Sequence, residues 1–119
     1  MTQVAAGSRR QAPENETSIV YATFPSVEEA ERIGGLLVQW RLAACVNLID
    51  GMRSIYRWDG KIETGREVVG VIKTRRVLAE RVVGAVKVLH SYDNPAVVVL
   101  PALGGSDTFL YWIRAETAD

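Results

Sequence analysis

The chain has 119 residues, a length that suits one domain and leaves no room for two comfortable ones. Its 14 Lys and Arg residues balance 14 Asp and Glu residues, with 48% hydrophobic residues, so no basic excess advertises a nucleic-acid or anionic-membrane partner, and no apolar run approaches the roughly 18 residues of a membrane span. A core of this size needs neither disulfide nor metal in order to fold; the single cysteine, Cys45, has no internal partner, and the opening residues lack the apolar stretch of a secretory signal, which makes the cytoplasm the expected compartment.

Residues 1–17 are small and polar without a sustained period and read as a flexible tail, leaving 18–119 as the domain. SIVYATF, 18–24, is β-branched and aromatic over a strand's length and stops at Pro25. Ser26 then supplies a helix N-cap and Glu29 the matching capping-box residue, with Ala30, Ile33, Leu37, Trp40 and Ala44 at helical spacing, so the first helix is expected to reach about residue 43. Gly34 and Gly35 inside it cost roughly 1 kcal/mol each in propensity, which points to a close approach of neighbouring backbone on that face.

CVNLI, 45–49, returns to extended character, Asp50-Gly51 marks a turn or bulge, and MRSIYRW runs into Asp59-Gly60. Asp-Gly between two extended runs is the preferred type I′ hairpin pair, because both central residues must accept positive φ. That placement sets Trp58 opposite Lys61 and Tyr56 opposite Glu63, and lets the return strand run through EVVGVIKT to Thr74. Each arm is then about 14 residues, far beyond the usual five or six. Residues 77–89 carry Leu78, Val82, Ala85, Val86 and Leu89 on one helical face; AVVVLP, 96–101, reads as a strand covered on both faces or in mid-sheet; Ser106 caps a last helix, DTFLYWIRAET.

The order is β-α-β-β-α-β with a terminal helix: an α+β, ferredoxin-like subunit with a long β-hairpin arm. Two helices cover only part of such a hairpin, leaving Ile55, Tyr56, Trp58 and Ile62 as an exposed apolar ribbon on an open edge. Pairing the arm with another copy of the chain resolves this, and a heterologous pairing of edge to arm closes into a ring, most simply a trimer, although spacing alone does not fix the number three.

AACVNLI (43–49), RSIYRWDGKIE (53–63), VIKT (71–74), HSYDNP (90–95), VVVLP (97–101) and the aromatic FLYWI near the end together resemble the CutA family of divalent-cation tolerance proteins, over residues 18–114 in order. The resemblance implies a homotrimer with the architecture of the PII signalling proteins, a link to copper and other divalent cations, and, in animals, an association with membrane-bound acetylcholinesterase. From the residues themselves, one histidine with no Ser/His/Asp set or carboxylate dyad at a recognisable spacing disfavours an enzyme. Members with a proposed copper site resemble a Cys/His/Glu set, for which this chain has Ala22, His90 and Ala96; Ser91 replaces the proline usual after that histidine. What remains for a metal is His90, with Asp93 or an acidic residue of a neighbouring copy such as Glu67, as a weak mixed site.

Copper favours imidazole and thiolate donors converging on the ion, and one histidine with one cysteine is a thin supply. Cys45 among Ala43, Ala44 and Val46 reads as a small buried hydrophobe. Tyr56 and Trp58 lie on one face of the arm and suit packing between subunits. Arg53, Arg57, Lys61 and Lys73 either form a solvated edge or line an anion cleft, with Arg53, Lys73, Thr74 and Tyr92 as the cleft residues of a PII-like sensor of a small anionic ligand. Metal binding would require His90 and weaken in acid; anion binding would require Lys73 or Arg53 and weaken with salt. Two relatives in topology are disfavoured. EVVGVIKT lacks the basic-glycine-aromatic series of RNA-recognition domains, and FPSVEEA is acidic where an acylphosphatase needs an anion cradle. Trp112 at helical spacing from Phe109 reads as the apolar side of the last helix.

Overall fold

The structure, a computed structural model, describes residues 16–118. Most of the expected tail, together with Asp119, lies outside these residues, and Thr17 already belongs to the first strand, β1 (Thr17–Phe24).

Helix α1 (Val27–Gln39) starts at Ser26, whose hydroxyl accepts the N–H of Glu29 at 3.1 Å. Only half of the expected capping box is built this way, because the Glu29 carboxylate turns instead to Ser91. The helix also ends earlier than its spacing suggests. Arg41 takes φ 62° and reverses the chain, and the N–H groups of Leu42 and Ala43 fold back onto the Leu37 carbonyl. Trp40 is therefore left half exposed beyond the last turn, while Leu42, Ala43 and Ala44 are buried. Of the two helical glycines, Gly34 sits where an added Cβ would lie 3.4 Å from the Val46 side chain, an ordinary contact distance, and Gly35 faces open space; the backbone approach expected at this pair is not found, and the near neighbour at Gly34 is a strand side chain.

The hairpin follows the sequence closely. Strands β2 (Cys45–Trp58) and β3 (Lys61–Arg75) are joined by Asp59 at φ 51° and Gly60 at φ 79°, the paired left-handed conformations of a type I′ turn. Trp58 pairs with Lys61 and Tyr56 with Glu63. A bulge interrupts β2 between Ile49 and Met52, with Gly51 at φ 82°. It preserves the facing of the strand by exchanging parity: Val46 and Leu48 share the helix side with Ile72 and Gly70, and beyond the bulge Arg53, Ile55 and Arg57 share that side with Arg66, Thr64 and Ile62. Tyr56 and Trp58 therefore project from the opposite face.

Arg76–Leu78 form a 3₁₀ turn leading into α2 (Ala79–Leu89); β4 (Val97–Pro101) and α3 (Asp107–Glu116) complete the chain. The antiparallel sheet has the order β2-β3-β1-β4, which is the ferredoxin-like arrangement. Helices α1 and α2 bury Ala30, Ile33, Leu37, Val82 and Val86 against Val20, Ala22, Phe24, Val68 and Ile72. Helix α3 lies against β3 and β1, with Ile113 buried and the Thr117 hydroxyl accepting from Arg75 at 3.0 Å. No helix among the described residues is long and apolar enough to cross a membrane.

Strand β4 departs from expectation. It is an edge strand, and Val98, Val99 and Leu100 are exposed. A continuous apolar run marks a strand that is covered somewhere, but its sequence does not say whether the cover comes from its own chain. The arm is similarly bare, with Ile55 76%, Tyr56 47%, Trp58 65% and Ile62 61% exposed, and it stretches the molecule to 56 × 27 × 21 Å.

Candidate functional site

Where α2 ends, the turn from His90 to Pro95 meets the end of β1 and the root of the arm. His90 is the C-cap residue of α2, its N–H bonded to the Val86 carbonyl. Its side chain is wholly covered. The ring stacks on Phe24 at a centroid distance of 5.3 Å and meets the ring of Tyr92 at 4.9 Å. Nε2 lies 2.7 Å from the Thr23 carbonyl oxygen, and Nδ1 lies 3.0 Å from the backbone N–H of Tyr92. Because a carbonyl only accepts and an N–H only donates, these partners fix the neutral tautomer with the proton on Nε2.

Glu29 reaches this turn from the first turn of α1. Its Oε2 accepts the Ser91 N–H at 2.9 Å and the Ser91 hydroxyl at 3.1 Å, and stands 3.4 Å from His90 Nδ1. Burial works to raise its pKa, but the two Ser91 bonds together with the nearby Arg32 charge outweigh it, and the carboxyl titrates below its ordinary value of 4.5. Arg32, one turn further along α1, donates to the Leu89 carbonyl at 3.2 Å. On the far side of Tyr92 stands a second carboxylate, Glu67, which accepts from Ser54 Oγ at 2.6 Å and Thr23 Oγ1 at 3.3 Å. Burial, followed by the proximity of Glu67, Tyr56 and Glu29, raises the Tyr92 phenol above its usual value of 10.0. One polar chain thus runs from α1 through the 90–92 turn to three strands.

The residues expected to form an anion cleft are dispersed within one subunit. Tyr92 belongs to the network just described. Lys73 lies six positions along β3 from Glu67, about 20 Å away at strand rise, opposite Cys45, with its ammonium bonded to Asn47. Thr74 is fully buried and donates to the Leu42 carbonyl at 2.6 Å. Arg53 stands on the arm directly opposite Arg66. Ile55, Tyr56, Trp58 and Ile62 all remain on the exposed arm. Asp93 is exposed in the turn. Glu29, Ser54 and Thr23 were missed by sequence reasoning, since each has an ordinary local role to play, as cap partner or strand residue.

The donor set does not fit a resident metal. Both His90 nitrogens are committed, Ala22 is buried in the helix-facing core beside Val97, and Cys45 lies at the far end of β2. Among the described residues, no group of three or more His, Cys, Asp or Glu side chains is assembled to hold an ion.

Fold and site together define a ferredoxin-like subunit with a long exposed arm and an exposed edge strand. The chain belongs to the CutA1 divalent ion tolerance protein family, whose model matches residues 18–116. It is 40% identical over 99 residues to the divalent-cation tolerance protein CutA of Thermus thermophilus, covering 83% of this chain and 96% of that one. It is 41% identical over 99 residues to the chloroplastic protein CutA of Arabidopsis thaliana, again over 83% of this chain but only 54% of the plant protein; the chain thus spans about half the length of that relative. The crystal structure of CutA1 from Oryza sativa superposes with a TM-score of 0.86 at 37% identity, over 91% of this chain and 99% of that one. The Thermus structure gives 0.83 at 39% identity, over 86% and 99%. The family description is of a tolerance protein, not of an enzyme.

Proposed function

We propose that this chain acts as a homotrimer in the cellular response to divalent metal ions, copper among them, with the hairpin arm as its assembly device. The observation that carries this is the pairing of two unsatisfied edges in one subunit: an arm with exposed Ile55, Tyr56, Trp58 and Ile62, and a bare β4 edge with exposed Val98, Val99 and Leu100. The two surfaces differ, so docking one on the other is heterologous, and a rotation that closes makes it a ring; neither surface would remain monomeric comfortably in water. The divalent-cation tolerance proteins of Thermus thermophilus and Archaeoglobus fulgidus, to which the chain is similar, support the tolerance role. Native mass spectrometry tests the assembly: a mass of three chains at micromolar concentration is expected, and a monomer would overturn it. Growth under copper challenge, with and without the gene, tests the role; equal growth would overturn that part.

A second reading, binding of a small anion, draws on one feature. Arg53 and Arg66 face each other directly across the arm, with Arg57 further along the same side, and among the described residues no carboxylate pairs with them. Directly opposed like charges are unfavourable unless neutralised. Calorimetry with inorganic phosphate, on the parent and on Arg53→Gln, checks this; heat that is present in the parent, reduced by salt and lost in the variant is the expected result, and no difference between the two excludes it.

A further inference from the structure

We propose that His90 is a positioning residue and not a metal ligand: its two nitrogens staple the turn after α2 to the end of β1, at the residue that ties the sheet to the root of the arm. The argument rests on what each nitrogen does. A histidine binds a metal through a ring lone pair. The Nδ1 lone pair is occupied by the Tyr92 N–H at 3.0 Å, and Nε2 has a proton in its place, directed at the Thr23 carbonyl 2.7 Å away. Coordination at Nδ1 would strand a backbone donor. Coordination at Nε2 would move the ring proton to Nδ1, breaking both bonds at once in a site closed to water. The ring has no freedom to turn out, because Phe24 is stacked on it and its side chain is wholly covered.

The staple has a second strand in Glu29, which holds Ser91 by its N–H and its hydroxyl. Two consecutive residues, Ser91 and Tyr92, thus give their backbone N–H groups to side-chain acceptors from α1 and from His90. Thr23, whose carbonyl takes the Nε2 proton, also gives its hydroxyl to Glu67, and Glu67 ties β1 to the arm by accepting from Ser54 through its other oxygen. His90 therefore acts through Thr23 on the place where the arm leaves the sheet. Any divalent-cation role of this chain has to come from donors other than this imidazole. The proposal is independent of the assembly reading, since a monomeric mass would overturn that reading and leave this one intact.

Two amide substitutions separate the two nitrogens. His90→Asn places an amide oxygen where Nδ1 stands and keeps the bond from Tyr92; His90→Gln places an amide nitrogen where Nε2 stands and keeps the bond to Thr23. Hydrogen exchange of the Tyr92 amide and copper and zinc content per chain are measured on the full chain. In His90→Asn the Tyr92 amide is expected to stay protected, and in His90→Gln to exchange at least about ten-fold faster, with metal content equal in all three proteins. Metal uptake by the parent that both variants lose would overturn the proposal, as would Tyr92 exchange that is the same in all three. Ring ¹⁵N shifts of the parent alone provide a check that needs no variant: the Nε2–H tautomer unchanged on adding Zn²⁺ supports the staple, and a zinc-dependent shift at either nitrogen defeats it.

Discussion

Ser54 on β2 and Glu67 on β3 are joined by a 2.6 Å hydrogen bond just beyond the bulge, and the same carboxylate takes the Thr23 hydroxyl of β1 through its other oxygen. Three strands are thereby tied at the point where the sheet loses its helical cover and becomes an arm. Hydrogen bonds to a charged group contribute roughly 1.5–3 kcal/mol where water is partly excluded. Glu67→Ala is expected to lower the free energy of unfolding by about 2 kcal/mol, with Ser54→Ala costing about half of that. Urea denaturation at pH 7 measures both; losses below about 0.5 kcal/mol would mean that the tie is solvated and idle.

Trp58 and Tyr56 project from the same face near the tip of the arm, and Trp58 is 65% exposed in the single chain. Its removal should leave the subunit's own core untouched while stripping an aromatic anchor from a subunit contact, at a cost of about 2 kcal/mol or more. The expected result for Trp58→Ala is an unchanged far-ultraviolet spectrum with a shift toward smaller species in sedimentation velocity. A variant as associated as the parent would remove Trp58 from the interface.

Glu29 contributes a pH dependence to stability. Its folded-state pKa lies below the ordinary 4.5, so the folded chain holds the ionised form more strongly than the unfolded chain does. Its contribution is complete well above that value and is lost as acidification carries the solution through and below it. Between pH 6 and 3 the parent should lose stability faster than Glu29→Gln, which begins lower and follows a flatter curve. Parallel curves would show that the Ser91 bonds do not depend on the charge.

Gly70 lies under the ring of Phe24, where an added Cβ would come within 2.8 Å of its Cε2. Phe24 is buried and stacked on His90, so the ring has nowhere to yield without disturbing the staple. Gly70→Ala is expected to cost about 1–3 kcal/mol and to speed exchange of the Tyr92 amide. An unaltered thermal midpoint would show that the ring moves freely.

What the sequence disclosed was whatever depends on local chemistry. Asp59-Gly60 sets the turn, the turn sets the register, and Trp58 falls opposite Lys61 with no knowledge of the rest of the fold. Ser26 marks the start of α1 in the same way. The end of that helix was less legible, because Trp40 continues the apolar period while the reversal at Arg41 depends on tertiary hydrogen bonds to Leu37. For β4 the difficulty lay between chains: VVVL looks the same whether its cover is a helix or another copy. The network around Tyr92 was the least legible, since Glu29 and Ser91 are 62 residues apart and each has a plausible local duty. Tyr92 and His90 were singled out from their position in a turn, but the committed lone pair that removes His90 from metal chemistry is visible only in three dimensions.

The bulge at Asp50-Gly51 gives the arm a joint rather than a facing. Ile49 and Met52 are three residues apart while their partners Val69 and Glu67 are two apart, so the extra residue is absorbed locally and the pleat resumes as if it were absent. Deleting either Asp50 or Gly51 would return β2 to an even ladder, with Met52 still opposite Glu67 and Tyr56 and Trp58 still on their present side. What the extra residue supplies is bend and local twist. Its loss would change the angle at which the arm leaves the sheet, and so the direction in which an unchanged docking surface is presented.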